Sequence, residues 1–325
     1  MEQSSVLLPV NSTQNALTSP VERIIAGWLV SSCPSLLSRA MYKSDLQHFG
    51  LYLKELGKDL IDINRQDIQI YMEFLRTTGL AAATRSRKLT VLKGLVNALA
   101  TEDVFPFAVA QKILSEKAPT VSRDGRTPGL SSSEARLLLD TPPSADLRGI
   151  RDRAILSVLL YTGARRSALC QIRIGHLLHE MGVHYVLLHE KGDRQLRAPL
   201  HPEVSQRVQA WLEASTLSQS DPKGPLFRPF NRRGSMLMAK PMHDSMIWFI
   251  VKKYARKAGL QVDRLDERGI CAHSTRVTAI TTSFEGGAKL EEIQQLVGHK
   301  DPRNTLRYRR ASPKDAVNAV MRINY

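Results

Sequence analysis

Apolar residues recur at helical spacing from the first ordered stretch of the chain. Ile24, Ile25, Trp28 and Leu29 predict a helix over 21–30. Leu36, Leu37, Met41, Leu46, Phe49, Leu53 and Leu56 predict a second over 35–56, which Gly57 closes as a C-terminal cap would. Helices over 67–76 and 82–100 complete a bundle of about four, and a shorter one is expected at 107–114. No strand signal precedes residue 120.

The pattern then breaks. Residues 117–129 are polar, basic and punctuated by Pro119, Gly125, Pro128 and Gly129, which predicts a linker. Ser131-Ser132-Ser133-Glu134 reads as a capping box opening a helix, and 150–161 is a strongly apolar helix running into Thr162-Gly163. Period-two and β-branched character comes only at 183–189 and 195–200, on either side of a Lys191-Gly192-Asp193-Arg194 turn. Helices resume at 203–213, 243–258, 275–285 and 290–297. Ser312-Pro313-Lys314-Asp315 has the N-cap and N1-proline form that starts another. Its apolar face (Ala316, Val317, Ala319, Val320, Met321) is too small to fold alone.

The expected organisation is therefore mainly α with a small antiparallel β-sheet. A disordered, polar segment spans 1–20 and an all-helical domain 21–116. The linker covers 117–129, an α+β domain 130–311, and a terminal helix 312–325 that could pack on its own domain or on another protomer.

Composition narrows the partner. A chain of 325 residues with 42% hydrophobic content can form two domains of ordinary size. Its 46 Lys and Arg against 31 Asp and Glu give a formal charge of +15. The excess points to a polyanion, either nucleic acid or an acidic membrane surface, unless the charge is simply solvated. Three scattered cysteines form no CxxC pair and no zinc-like cluster, which excludes a disulfide framework and suits a reducing cytosol. The first twenty residues lack the charged start and apolar core of a signal peptide, and no apolar run approaches the roughly 20 residues of a membrane span. A soluble intracellular protein is expected, without metal or cofactor.

Candidate chemistry sits in the second domain. Breaking a DNA strand without metal requires a nucleophile, stabilisation of a pentacoordinate oxyanion, and a proton for the leaving 5′ oxygen. Tyr308 can attack, although a phenol of ordinary pKa near 10 needs a base or a positive field. Arg165 and Arg276 can clamp the non-bridging oxygens and stay charged at any physiological pH. His273 and His299 can donate to phosphate or move protons near neutrality. Lys191 can act as general acid. Each residue alone has a bland reading: a helix-entry turn, a solvated hairpin lysine, a helix cap, a packing tyrosine. The ordered set does not.

These residues resemble the tyrosine recombinase (phage integrase) family. Thr162-Gly163-Ala164-Arg165-Arg166-Ser167-Ala168-Leu169 matches its first box, and His273-Ser274-Thr275-Arg276 its second. Leu296-Val297-Gly298-His299, followed nine residues later by Tyr308, matches the third, and Lys191-Gly192 its hairpin lysine. The motifs cover about 127–310 directly; the helical N-terminal domain fits the family's core-binding, SAM-like domain by position and class.

The resemblance implies site-specific recombination through a 3′-phosphotyrosyl intermediate without metal or ATP, on a double-stranded DNA site. It also implies a homodimer on each site, a homotetramer in the synaptic complex, possible accessory DNA-bending proteins, and a cytoplasmic protein of prokaryotic, phage or plasmid origin. Two other readings stand beside it: a catalytically weakened DNA-binding regulator on the same scaffold, and a type IB topoisomerase, which shares the chemistry but is disfavoured by the N-terminal helical domain and the compact length.

Three departures stand out. Many members carry an acid three positions after the first arginine, where this chain has Ala168; Glu190 or Glu180 could substitute. The doubled Arg165-Arg166 leaves a register choice that the Thr162-Gly163 spacing resolves toward Arg165. Val277 replaces a frequent His.

Outside the site, Arg85, Arg87, Lys88 and Lys93 cluster from the start of the 82–100 helix onward. Cations at a helix start oppose the macrodipole, so an external anion such as DNA phosphate is expected there. Arg39 and Lys43, one turn apart, are similar candidates. Lys117, Arg123 and Arg126 of the linker could follow the backbone, positioning the protein without reading bases.

Overall fold

The computed structural model describes residues 19–33, 35–121, 127–190, 194–217, 221–260 and 269–309. The expected disorder before residue 19, Arg123 and Arg126 of the linker, Lys191 and the 312–325 helix lie outside the described residues. The chain divides into two compact units, Met1–Ser122 and Arg123–Tyr325.

The first unit is helical: α1 (Pro20–Ser32), α2 (Leu36–Glu55), α3 (Arg65–Thr77), α4 (Ala82–Thr101) and α5 (Phe107–Leu114). Reciprocal capping boxes open α1 (Ser19 with Glu22) and α3 (Asn64 with Asp67). Gly57 takes φ +63° just past α2, a conformation that favours glycine. The core is aromatic at its centre, where Phe49 meets Tyr71 edge-on at 4.8 Å. Leu75, Leu92, Leu99 and Ile113 close around it. The apolar stripe of α2 is buried only at its middle, at Leu46, Phe49 and Leu53, and Leu56 at its end is half exposed. Leu36 and Leu37, expected to share its core face, are 80% and 74% exposed, because the first turn of α2 runs beyond the cover of its unit.

The second unit contains α6 (Ser132–Asp140), α7 (Leu147–Thr162), α8 (Arg166–Cys170), β1 (Leu177–Glu180), β2 (Val183–Glu190) and β3 (Arg194–Pro199). It continues with α9 (Pro202–Ala214), α10 (Asp244–Lys257), α11 (Ala272–Glu285), α12 (Leu290–Val297) and α13 (Pro302–Leu306). The central helix is α7, whose Ala154, Ile155, Leu156, Val158, Leu159 and Leu160 are all buried, as expected of a helix apolar on every side. The sheet is antiparallel in the order β1-β2-β3. Its first strand and the two short helices α8 and α13 are additions to the sequence reading. A Met181-Gly182 turn with φ +50° and +77° at its two central residues joins β1 to β2. The fold class agrees with expectation: mainly α with one small antiparallel sheet. Among the described residues no helix is long and apolar enough to cross a membrane.

Candidate active site

Helix α7 ends at Gly163, which adopts φ +63° as its C-cap. A side chain there would be strained, and its Cβ would come within 3.1 Å of Val297 and 3.4 Å of Ala279. Buried Thr162 holds the turn: its hydroxyl donates to Val158 O at 2.6 Å and accepts from Ala164 N at 3.2 Å. Arg165 follows as the N-cap of α8, with its side chain 43% exposed and in ion-pair contact with the buried carboxylate of Glu190. Arg166 turns elsewhere, 3.6 Å from Asp244 at the start of α10.

The second motif opens α11. His273 and Arg276 lie in its first turns, where the helix N-terminus favours an anion. Arg276 is 3% exposed and ties three segments together. It donates to Gly163 O at 2.5 Å and Val297 O at 2.7 Å, and its Nη2 meets His299 Nε2 at 3.0 Å.

The third motif follows α12, whose C-cap Gly298 takes φ +70° and so turns the chain back over Arg276. A guanidinium only donates, so His299 Nε2 accepts and the ring proton resides on Nδ1. That nitrogen lies 2.9 Å from the Thr305 hydroxyl, its hydrogen-bond acceptor. Asp301 caps α13, with Pro302 in its first turn, and the helix presents buried Thr305 to His299 and carries the chain on to Tyr308. The Tyr308 ring lies nearly parallel to that of His299, centroids 6.4 Å apart, and packs on the small cluster of Ile280, Ile293 and Val297.

The electrostatics are those of a cationic pocket with a buried Arg276 at its base and exposed groups at its mouth. Burial, with Arg165 nearby, brings Arg276 down to about 10, which leaves it charged at neutral pH. Burial also lowers Arg165, with the Tyr308 phenol acting in the opposite direction. His299 is pushed down to about 4 by burial and then by the two arginines. His273, exposed at the start of α11, is lowered as well, by partial desolvation and then by Arg276 and Arg165. Both histidines are thus neutral at pH 7. Such an assembly can hold and polarise a phosphodiester beside a phenol. Among the described residues no group of three or more His, Cys, Asp or Glu side chains could hold a metal ion.

Arg165, His273, Arg276, His299 and Tyr308 are therefore brought into one neighbourhood, while Lys191 lies outside the described residues. Sequence reasoning missed Thr305, although Asp301-Pro302 carries the same helix-start signal recognised at Ser312-Pro313. It named Glu190 and Glu180 only as alternatives; Glu180 instead pairs with Arg197 in the sheet.

In the first unit the candidate cations differ in character. Lys88 is 6% exposed, with its ammonium 3.1 Å from buried Asp45, which Arg87 also pairs. Burial lowers Lys88, and Arg87 adds to the effect. It belongs to the interior, not to an exposed cluster. Lys93 donates to Leu114 O at 2.7 Å and to Glu116 O, holding the end of α5. Arg85 and Arg39 are partly exposed and each donates to one backbone carbonyl, Leu80 O and Cys33 O respectively. Lys43 is half-buried.

Comparison with known proteins matches residues 129–315 to the phage integrase family and 29–103 to the N-terminal SAM-like domain of phage integrases. The tyrosine recombinase XerD of Staphylococcus saprophyticus is 28% identical over 280 residues, covering 83% of this chain and 86% of that protein. Among solved structures, XerH site-specific recombinase bound to palindromic difH substrate, in a post-cleavage complex, gives a TM-score of 0.68 at 20% identity. That likeness covers 89% of this chain and 80% of that one. A lambda integrase dimer bound to a COC′ core site gives 0.68 at 15% identity, covering 90% and 95%. At these identities the structural likenesses speak to the fold.

Proposed function

The chain belongs to the phage integrase family and acts in site-specific DNA recombination; we propose that it does so with Tyr308 as nucleophile. The phenol oxygen attacks the scissile phosphorus, the bond from phosphorus to the 5′ oxygen breaks, and the DNA 3′ end remains joined to the tyrosine. Arg165 and Arg276 bind the non-bridging oxygens, whose charge grows in the pentacoordinate state. His273, in the first turn of α11, accepts the phenol proton or hydrogen-bonds the phosphate. His299 braces Arg276. Lys191 gives its proton to the departing 5′ oxygen. A 5′ hydroxyl from a second strand then reverses the step, so the phosphodiester energy is conserved and no ATP is consumed.

The observation that most supports this reading is the Arg276 fork. One guanidinium joins the turn before Arg165, the end of α12 and His299, next to Tyr308. Residues scattered over more than a hundred positions thus meet around one guanidinium, which supports a shared phosphate site.

The partner is a double-stranded recombination site, with a homodimer on each site and a homotetramer at synapsis. The uncapped start of α4, which has no acid in its first turn, supports backbone contact through Arg85. Arg39, Lys43, Arg87 and the linker cations Arg123 and Arg126 are further candidates for phosphate contact.

A duplex nicked close to its cleavage point, so that the released fragment diffuses away, tests the reaction. The expected product is a covalent protein–DNA adduct resistant to denaturant, with a free 5′ hydroxyl. Reversible binding alone would leave a DNA-binding regulator on this scaffold. Relaxation of any supercoiled plasmid, whatever its sequence, would make the protein a topoisomerase.

A further inference from the structure

We propose that Glu190 is the positioning residue for Arg165, supplying from the end of β2 the carboxylate that position 168 lacks. The inference rests on the reading of Arg165 as a phosphate ligand. Strand β2 buries alternate residues, Val186, Leu188 and Glu190, so its period of two turns a carboxylate toward the protein interior. The Glu190 side chain is 4% exposed. A buried carboxylate is costly unless paired, and Arg165 is its ion-pair partner. Among the described residues neither carboxylate oxygen has a hydrogen-bond partner, and the Arg165 guanidinium is the ion-pair partner that compensates the burial.

The neighbouring contacts fix the carboxylate's place. A Cβ on Gly298 would lie 3.9 Å from Glu190 Cγ, which sets the glutamate against the turn that carries His299. Its cross-strand partner is Arg194, whose Nη1 donates to Gly298 O at 3.3 Å. The root of the β2–β3 hairpin thus touches both the arginine of the first motif and the backbone of the third. Position 168 cannot serve, because Ala168 is 1% exposed and packs in the apolar core. Glu180 cannot serve either, being occupied with Arg197.

Chemically, the carboxylate engages part of a planar group that carries five N–H donors. The 43% of the Arg165 side chain that stays exposed is left for phosphate. An arginine held in this way keeps its donors in place instead of reorganising when charge develops on the phosphate oxygens. Glu190 acts through Arg165 and does not itself touch substrate.

The test uses the full-length protein on the nicked duplex, comparing wild type with Glu190→Gln, which keeps shape and removes charge. At saturating protein, Glu190→Gln is expected to cleave about 10²-fold more slowly, the scale of a lost oxyanion donor, with unchanged non-covalent affinity. A second substrate carries a methylphosphonate at the scissile position, which removes one negative charge that Arg165 would neutralise. On it the defect should shrink to less than about tenfold, since less is asked of the arginine. A merely structural defect would be the same on both substrates, and that equality overturns the proposal. Cleavage of the normal substrate by Glu190→Gln at the wild-type rate overturns it as well. If wild type itself forms no adduct, the fault lies with the catalytic reading rather than with Glu190.

Discussion

Single side chains in this site do separable things. Tyr308→Phe removes only the nucleophilic oxygen and leaves the ring packed on Ile280, Ile293 and Val297. It should bind DNA as wild type does and form no adduct, measured by gel shift beside a denaturing gel. The doubled arginine separates in the same way. Arg165→Lys loses the planar fork and should cut single-turnover cleavage by about 10²–10³. Arg166→Ile loses a pair with Asp244 in which both side chains are 41% exposed, a contact worth about 0–1 kcal/mol, and should cleave normally. A dead Arg166→Ile beside an active Arg165→Lys would shift the register by one.

His299 adds a pH signature. Its pKa is depressed in the folded protein, from the ordinary 6.5 to about 4, so between those values the unfolded chain binds a proton that the native one refuses. Its contribution to stability is therefore fully present above pH 6.5 and lost as pH falls toward 4. Partial exposure keeps that contribution below about 3 kcal/mol. Burial lowers His48, His176 and His273 in the same direction. Unfolding midpoints between pH 4 and 7 should accordingly slope less steeply for His299→Gln than for wild type, without becoming flat. Equal slopes would mean that His299 is not held neutral.

At the scale of elements, legibility followed the range of the interactions. Helix α5 was read to the residue at 107–114, because amphipathic spacing after Pro106 is a local signal. Strand β1 was not read. Leu177-Leu178-His179-Glu180 neither alternates nor is long, and its turn places Met181, an uncommon residue at positive φ, before Gly182. The first turn of α2 was misjudged because periodicity gives a face but not what covers it. The site was legible as far as its reactive groups went, since Arg165, His273, Arg276, His299 and Tyr308 come in short spaced motifs. The groups that hold them were less so: Glu190 acts across the fold on Arg165, and Thr305, six positions from His299, reaches it only because α13 turns the chain back. The hairpin allows a sharp test of the remaining reactive group. Lys191→Ala should cleave an ordinary phosphodiester very slowly, and replacing the bridging 5′ oxygen with sulfur, a leaving group that needs no proton, should restore most of the rate. No rescue would move the acid role elsewhere, with His299 next to be examined.

Across the whole molecule, a formal charge of +15 makes salt the controlling variable for binding but not for chemistry. Phosphate contacts release counterions, and a protein making 6–10 of them loses about 10³–10⁵ in affinity between 50 and 200 mM salt. Arg276 at the base of the pocket is buried, and buried charges are screened far less, so cleavage at saturating protein should respond much less to the same change. The first unit offers one clean probe of the binding term. Arg87→Ala would also strip a partner from buried Asp45, and Lys88→Ala or Lys93→Ala would disturb interior contacts, so their effects on DNA would be mixed with stability. Arg85 donates to Leu80 O near the uncapped start of α4, and among the described residues its charge otherwise reaches only the exposed Glu73. If it sits on the DNA backbone, Arg85→Ala should weaken binding similarly on all sequences and reduce the slope of log affinity against log salt by about one, with the cleavage rate at saturation unchanged. An unaltered slope would remove Arg85 from the DNA track and leave that surface to other cations.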